Sequence, residues 1–184
     1  MRKTLLNVHL ALAAFFLPIA LMFALTGGLY TLAIKGSYDD TRRTVVLDAP
    51  LTPELGPLVA LVERELAAAT IEVPSGGASV KKAGTSFELE WTGVYRDVVL
   101  RPTANPLEAE LVIKDTGPWR HAVQLHKAKG SDFAKAISIA WAIGLMVVLL
   151  SGMAMAWVSP PYRRMALKAG VAGAATFVAY LVVG

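Results

Sequence analysis

The chain has 184 residues, no cysteine, and 55% hydrophobic against 17% charged residues, with a formal net charge of +4. The missing thiols exclude disulfides, thiolate metal sites, iron–sulfur clusters and cysteine nucleophiles. The positive charge is not spread evenly: every carboxylate falls between Asp39 and Asp132, so the basic excess gathers at the two flanks and is no argument for nucleic-acid binding.

Leu5 to Ile34 carries no charge, and only Asn7 and His9 are strongly polar within it. A bilayer core about 30 Å thick is crossed by about 20 helical residues, so segment 1–34 is predicted to be a first transmembrane helix. It is about twice as long as a signal-peptide apolar region of about 7–15 residues, which predicts an uncleaved anchor. Two further apolar runs follow much later. Residues 132–158, broken only by Lys135 near the start, predict a second span. Residues 159–164 form a short link, and 165–184, broken only by Lys168, predict a third span. Outside lipid all three would need burial on every side, and the rest of the chain is too polar to supply it. The sequence specifies an integral membrane protein. Arg2 and Lys3 before the first span, with Arg163, Arg164 and Lys168 about the link, face no acidic residue nearby. Basic excess in short loops marks the cytoplasmic side. The amino terminus is therefore expected inside, with the 35–131 domain and the carboxyl terminus outside.

Within 35–131 the pattern is α+β. "TVVL" is strand-like. "LTPELGPLVALVERELAAA" predicts a helix with Thr52 as N-cap and Pro53 at its first position. Leu55, Leu58, Val59, Val62, Leu66 and Ala69 form its apolar stripe. In "TSFELEW" Phe87, Leu89 and Trp91 alternate with polar residues, the mark of a half-buried strand, and "TG" turns the chain. "VYRDVVLRP" and "LEAELVIKD" continue as strands, with Leu107, Ala109, Leu111 and Ile113 on one face. One helix on a three- to four-stranded antiparallel sheet is expected, with a modest core.

The order of these parts resembles a known family. "NVHLALAAFFLPIALMFALTGGLY", the helix-plus-sheet segment, "KDTGPW" and "LHKAKGSDFAKAISIAWAIGLMVVLLSGMAMAW" are similar to the corresponding pieces of PepSY-associated transmembrane proteins. The resemblance implies an extracytoplasmic PepSY-like domain carried by a bacterial inner (cytoplasmic) membrane protein, with a role in binding or regulating a peptidase or other partner. Longer members, with four or more spans, include ferric and ferrisiderophore reductases in which span histidines ligate haem b. This chain has three spans, and "LTPEL" lacks the alanine-rich continuation common in the family.

The resemblance puts the histidines under test as haem ligands. Bis-histidine ligation needs two imidazoles at one depth, on opposite sides of the iron. The chain from His9 to Thr26 alone rises about 26 Å, so His9 cannot share an iron with His121 or His126. On a regular helix His121 and His126 lie about 140° apart. Each is either an interfacial polar residue or a haem ligand within a larger assembly. His9 is an intramembrane ionisable residue, with Met155, and less well Met153, at its depth on the second span. It is either a helix-to-helix hydrogen-bonding group or half of a His–Met haem pair.

Lys127, Lys129 and Lys135 are expected to reach lipid phosphates, and Trp119, Trp157 and Tyr162 to lie in interfacial belts. Gly144, Gly152, Gly170 and Gly173 offer close helix contacts, within the protein or to another membrane protein or copy. Glu88 with Glu90, and Glu108 with Glu110, fall on a solvated strand face. No metal motif, serine triad or phosphate loop is present. Two functions follow: an accessory protein whose outer domain binds a partner without chemistry of its own, or a haem-b electron-transfer subunit.

Overall fold

The computed structural model describes residues 2–183. Ten elements follow in chain order: α1 (Arg2–Thr31), β1 (Tyr38–Val46), α2 (Leu55–Ala68), β2 (Ala78–Ala83), β3 (Ser86–Trp91), β4 (Arg96–Pro102), β5 (Glu108–Thr116), α3 (Pro118–His126), α4 (Asp132–Val158) and α5 (Pro160–Val183). They divide into two compact units. One takes the chain up to Leu21 and from Ala140 onward; the other is Met22–Ile139.

In the first unit, α1, α4 and α5 contribute the stretches that make three helices long and apolar enough to cross a membrane. The most apolar window of each has no fully buried residue. Small residues set the contacts that do form. The Phe16 ring lies directly over Gly144, and the His9 ring over Gly152 at 3.2 Å from where a Cβ would stand. Among the described residues, a Cβ at Gly170 would meet the tip of Met153, and one at Gly173 would meet nothing within 4 Å. The link expected over 159–164 is shorter. Pro160 and Pro161 open α5, because proline lacks the N–H that a helix start leaves unpaired anyway.

The second unit holds a five-stranded, wholly antiparallel sheet in the order β1-β5-β4-β3-β2. β2 to β5 form a meander. β1 pairs on the far side of β5, and the chain returns to the opposite edge through α2. Leu58, Val62 and Leu66, one helical turn apart in succession, are the buried stripe of α2. They meet Leu89 and Trp91 of β3, Val98 and Leu100 of β4, and Ala109, Leu111 and Ile113 of β5. This alternation is the sequence pattern made physical: every second strand residue faces α2.

Three expectations are corrected. The sheet has five strands, not three or four, because "ASVKKA" forms β2. Adjacent lysines hide its alternation, yet Lys81 pairs with Glu90 across the hairpin. Gly84, at φ +61°, opens the two-residue turn to β3, the position where primed hairpin turns favour glycine. Second, α2 begins at Leu55 with Glu54 as N-cap, not Thr52. Pro57 explains the shift: deeper in a helix its ring would strike the carbonyl four residues back, whereas a start at Leu55 leaves it in the first turn. Third, Leu107 lies outside β5 and is exposed, and its carbonyl accepts from the Leu47 N–H.

Leu66 is fully buried among this set. Leu66→Ala is expected to destabilise the sheet unit by about 2–5 kcal/mol, measured as thermal unfolding of the full chain in mild detergent.

Candidate functional site

The richest polar cluster lies on the sheet face turned away from α2, where α3 packs. Asp97, near the start of β4, is 5% exposed. One carboxylate oxygen accepts the Gly93 N–H at 2.9 Å. The other accepts the Tyr38 hydroxyl at 2.6 Å and the Gln124 amide at 3.0 Å, and stands 3.6 Å from the Lys129 ammonium. The Tyr38 oxygen in turn accepts from Arg120 at 2.7 Å and Gln124 at 3.1 Å. The Arg120 guanidinium also lies 4.4 Å over the Tyr38 ring.

The backbone makes this cluster reachable. Gly93 sits where a Cβ would fall within 2.8 Å of backbone atoms of both Arg96 and Ser75. Only glycine lets the β3–β4 turn fold tightly enough to aim its N–H at Asp97. Gly117 and Pro118 start α3, which presents Arg120 and Gln124 one turn apart. Ala128 (φ +50°) and Gly130 (φ +151°) then break the helix. α3 and α4 are therefore separate helices. The break returns Lys129 toward Asp97.

Burial pushes the Tyr38 phenol up to about 12, with the bond to Asp97 acting the same way and Arg120 opposing. Burial also pushes the Lys129 ammonium below its usual range, although Asp97 pulls the other way. For Lys129 desolvation outweighs attraction, as expected when a charge pair leaves water.

The two histidines of α3 have different surroundings. His126 is exposed, and its Nδ1 lies 2.6 Å from Thr26 Oγ1 near the end of α1. The Thr26 hydroxyl donates to the Met22 carbonyl at 2.6 Å. Having one proton, it accepts from the His126 Nδ1–H, which leaves Nε2 outside that bond. Gly27 gives the ring room: a Cβ there would stand 3.3 Å from Cε1. The ring also meets Phe23 edge-on, with centroids 5.0 Å apart. His121 instead lies against the Tyr95 ring, centroids 4.4 Å apart. Its buried Nδ1 has no hydrogen-bond partner among the described residues. The angular separation read from the helix thus stands, and the helix break does not bring the two together.

His9 belongs to the other unit. Its Nδ1 lies 2.8 Å from Ser151 Oγ on α4. Met155, one turn beyond Ser151, lines an apolar cleft with Leu5 and Val8, and Met153 faces Gly170. Trp119 donates its indole N–H to the Ile34 carbonyl.

A haem b fits this arrangement only in part. His126 has the second-sphere support that ligating imidazoles use, with one nitrogen held and the other open. The adjoining cleft, lined by Thr26, Gly27, Tyr30, Val123, His126 and Lys127, is about 170 Å³. Cavities that enclose small organic ligands run to about 300–1,000 Å³. Within the unit, the other histidine is turned to Tyr95. The residues of this unit do not set a bis-histidine pair, and among the described residues no three His, Asp or Glu side chains gather to hold a metal ion.

Sequence reasoning missed Tyr38, Asp97, Gln124 and Thr26. Asp97 carried one faint signal, a carboxylate beside the apolar run "VVL". The others are ordinary polar residues whose partners lie far along the chain. Comparison with family models, with curated proteins and with solved structures finds no match to this chain.

Protonated Tyr38 is favoured by folding. Its contribution is complete below about pH 10 and is lost as pH rises through about 12. Phenolate absorbance is expected to show a step near pH 12 that Tyr38→Phe removes. Asp97→Ala leaves the buried Gln124 and the half-buried Lys129 without this partner. It is expected to cost about 3–5 kcal/mol, read from thermal unfolding of the full chain.

Proposed function

We propose that this chain is an accessory membrane protein of the PepSY-associated kind. Its sheet unit lies on the outer side of a bacterial inner membrane and binds or regulates a partner protein, with no chemistry of its own. The amino terminus is cytoplasmic, as is the short link between the last two helices, in accord with the basic residues of both regions. The observation that carries this reading is the use made of the buried polar groups. The Gly93 N–H holds one oxygen of Asp97, and the Tyr38 hydroxyl and the Gln124 amide nitrogen converge on the other, while the buried Gln124 amide oxygen has no partner among the described residues. Together with the Thr26–His126 bond, these bonds fasten the sheet to α3 and to the last turns of α1. All of them lie within the second unit. That unit in turn offers β1, a nine-residue strand at the edge of the sheet, to which an extended segment of a partner can add.

A haem-b electron-transfer subunit of the ferric or ferrisiderophore reductase type is the second reading. One observation favours it, the held ring and open Nε2 of His126. A second axial ligand would come from another copy or a partner subunit.

An optical spectrum separates the two. Protein produced with haem supplied and purified in mild detergent is expected to show no Soret band. A band that His126→Ala abolishes would replace the accessory reading with the second.

A further inference from the structure

The first unit contains a feature that neither reading of the sheet unit uses. Leu5, Leu6 and Val8 of α1 face Met155, Ala156 and Val158 of α4 across a cleft of about 1130 Å³. The leucines and valines among them are 41% to 69% exposed, so the cleft walls are apolar and not closed by the chain itself. Thr4 and Tyr162 also line it. Their chain neighbours Lys3 and Arg163, and Arg164 beyond, are exposed. Every carboxylate of the chain lies between Asp39 and Asp132, so this unit supplies none to these cations. Among the described residues, no ion pair is formed by Lys3, Arg163 or Arg164.

An apolar cleft whose lining residues Thr4 and Tyr162 adjoin exposed cations in the chain has the chemistry of an amphiphile with a negative head. We infer that the cleft binds one anionic phospholipid, its acyl chains along Leu6, Val8 and Met155 and its phosphate at Lys3, Arg163 and Arg164. Each of its two parts is matched. The cleft is larger than the pockets of about 300–1,000 Å³ that enclose small ligands, which suits acyl chains. A basic pocket between membrane helices on the cytoplasmic side is a recognised setting for acidic lipid heads. A second copy of this chain suits the site poorly, since a symmetric contact would bring like charges together without an acid between them. A zwitterionic lipid fills the apolar part and leaves the cations unmatched.

Native mass spectrometry of the full chain in mild detergent tests this, with phosphatidylglycerol and phosphatidylethanolamine of identical acyl chains as probes. One phosphatidylglycerol per chain is expected to be retained at least tenfold more than phosphatidylethanolamine. Arg163→Gln with Arg164→Gln is expected to lower phosphatidylglycerol retention by roughly twenty-fivefold, at roughly fivefold per cation removed. Ala156→Trp, which fills the cleft, is expected to lower retention of both lipids. Lys82→Gln, on the sheet, is the control and leaves retention unchanged. Equal retention of the two lipids by the unaltered chain would mean boundary lipid only and overturn the inference, whatever the variants do. Unchanged phosphatidylglycerol retention in the double glutamine variant, or a dimer that excludes lipid from the cleft, would overturn it as well. Partner binding by the sheet unit does not enter any of these readouts.

Discussion

A carboxylate taken out of water must be matched atom by atom, and Asp97 imposes that demand on the sheet unit. An unpaired buried charge costs several kcal/mol, so its neighbours have little freedom. Gly93 must turn tightly to offer its N–H. Tyr38, at the first residue of β1, and Gln124, near the end of α3, must converge on the same oxygen. Lys129 must be carried back by a break in the helix. The position of α3, the end of the segment that leaves α1, and the separation of α3 from α4 all follow from satisfying one side chain. Hydrogen bonds to charged groups contribute about 1.5–3 kcal/mol each, which is enough to order these connecting segments without a large apolar interface.

The other face of the sheet works by a different rule. There α2 covers an apolar layer drawn from every strand, and hydrophobic burial, which has no direction, sets the packing. Alternation along the strands keeps the two chemistries apart: Val98 and Leu100 turn to α2 while Asp97 turns to α3. The α2 side is held by apolar packing, while the α3 side has buried valines such as Val99, Val112 and Val123 and adds to them the directional bonds of Asp97.

The apolar helices obey a third constraint. Between helices in lipid there is no hydrophobic gain from contact, so close approach and hydrogen bonds decide which faces meet. The Phe16–Gly144 and His9–Gly152 contacts and the His9–Ser151 bond are of this kind. Where neither operates among the described residues, as at Gly173, the surface stays open.

Local and periodic features were legible in the amino-acid order. The three long apolar helices, the α2 stripe of Leu58, Val62 and Leu66, and the alternation of Leu89 with Trp91 are repeats visible in a single line of residues. β2 was hidden because an edge strand needs an apolar face on few residues, and its lysines masked the period. The first turn of α2 was misplaced because Thr52 and Pro53 carry the usual start signals, while Pro57 forbids them. The candidate site was the least legible. Thr26 and His126 stand a hundred positions apart in sequence, and Tyr38, Asp97 and Gln124 come from three separate elements.

The sequence by itself determined the length and hydropathy of the helices, the α+β character of the segment between them, and the separation of all acidic residues from the basic flanks. Each is a sum over neighbours in the chain. Only the tertiary structure decided that Asp97 is buried, that the two histidines of α3 turn to different partners, and that His126 holds its Nδ1 proton against Thr26. Hydrogen bonds are directional and short, so their partners are set by where the backbone passes in space, and no local pattern of residue types records that.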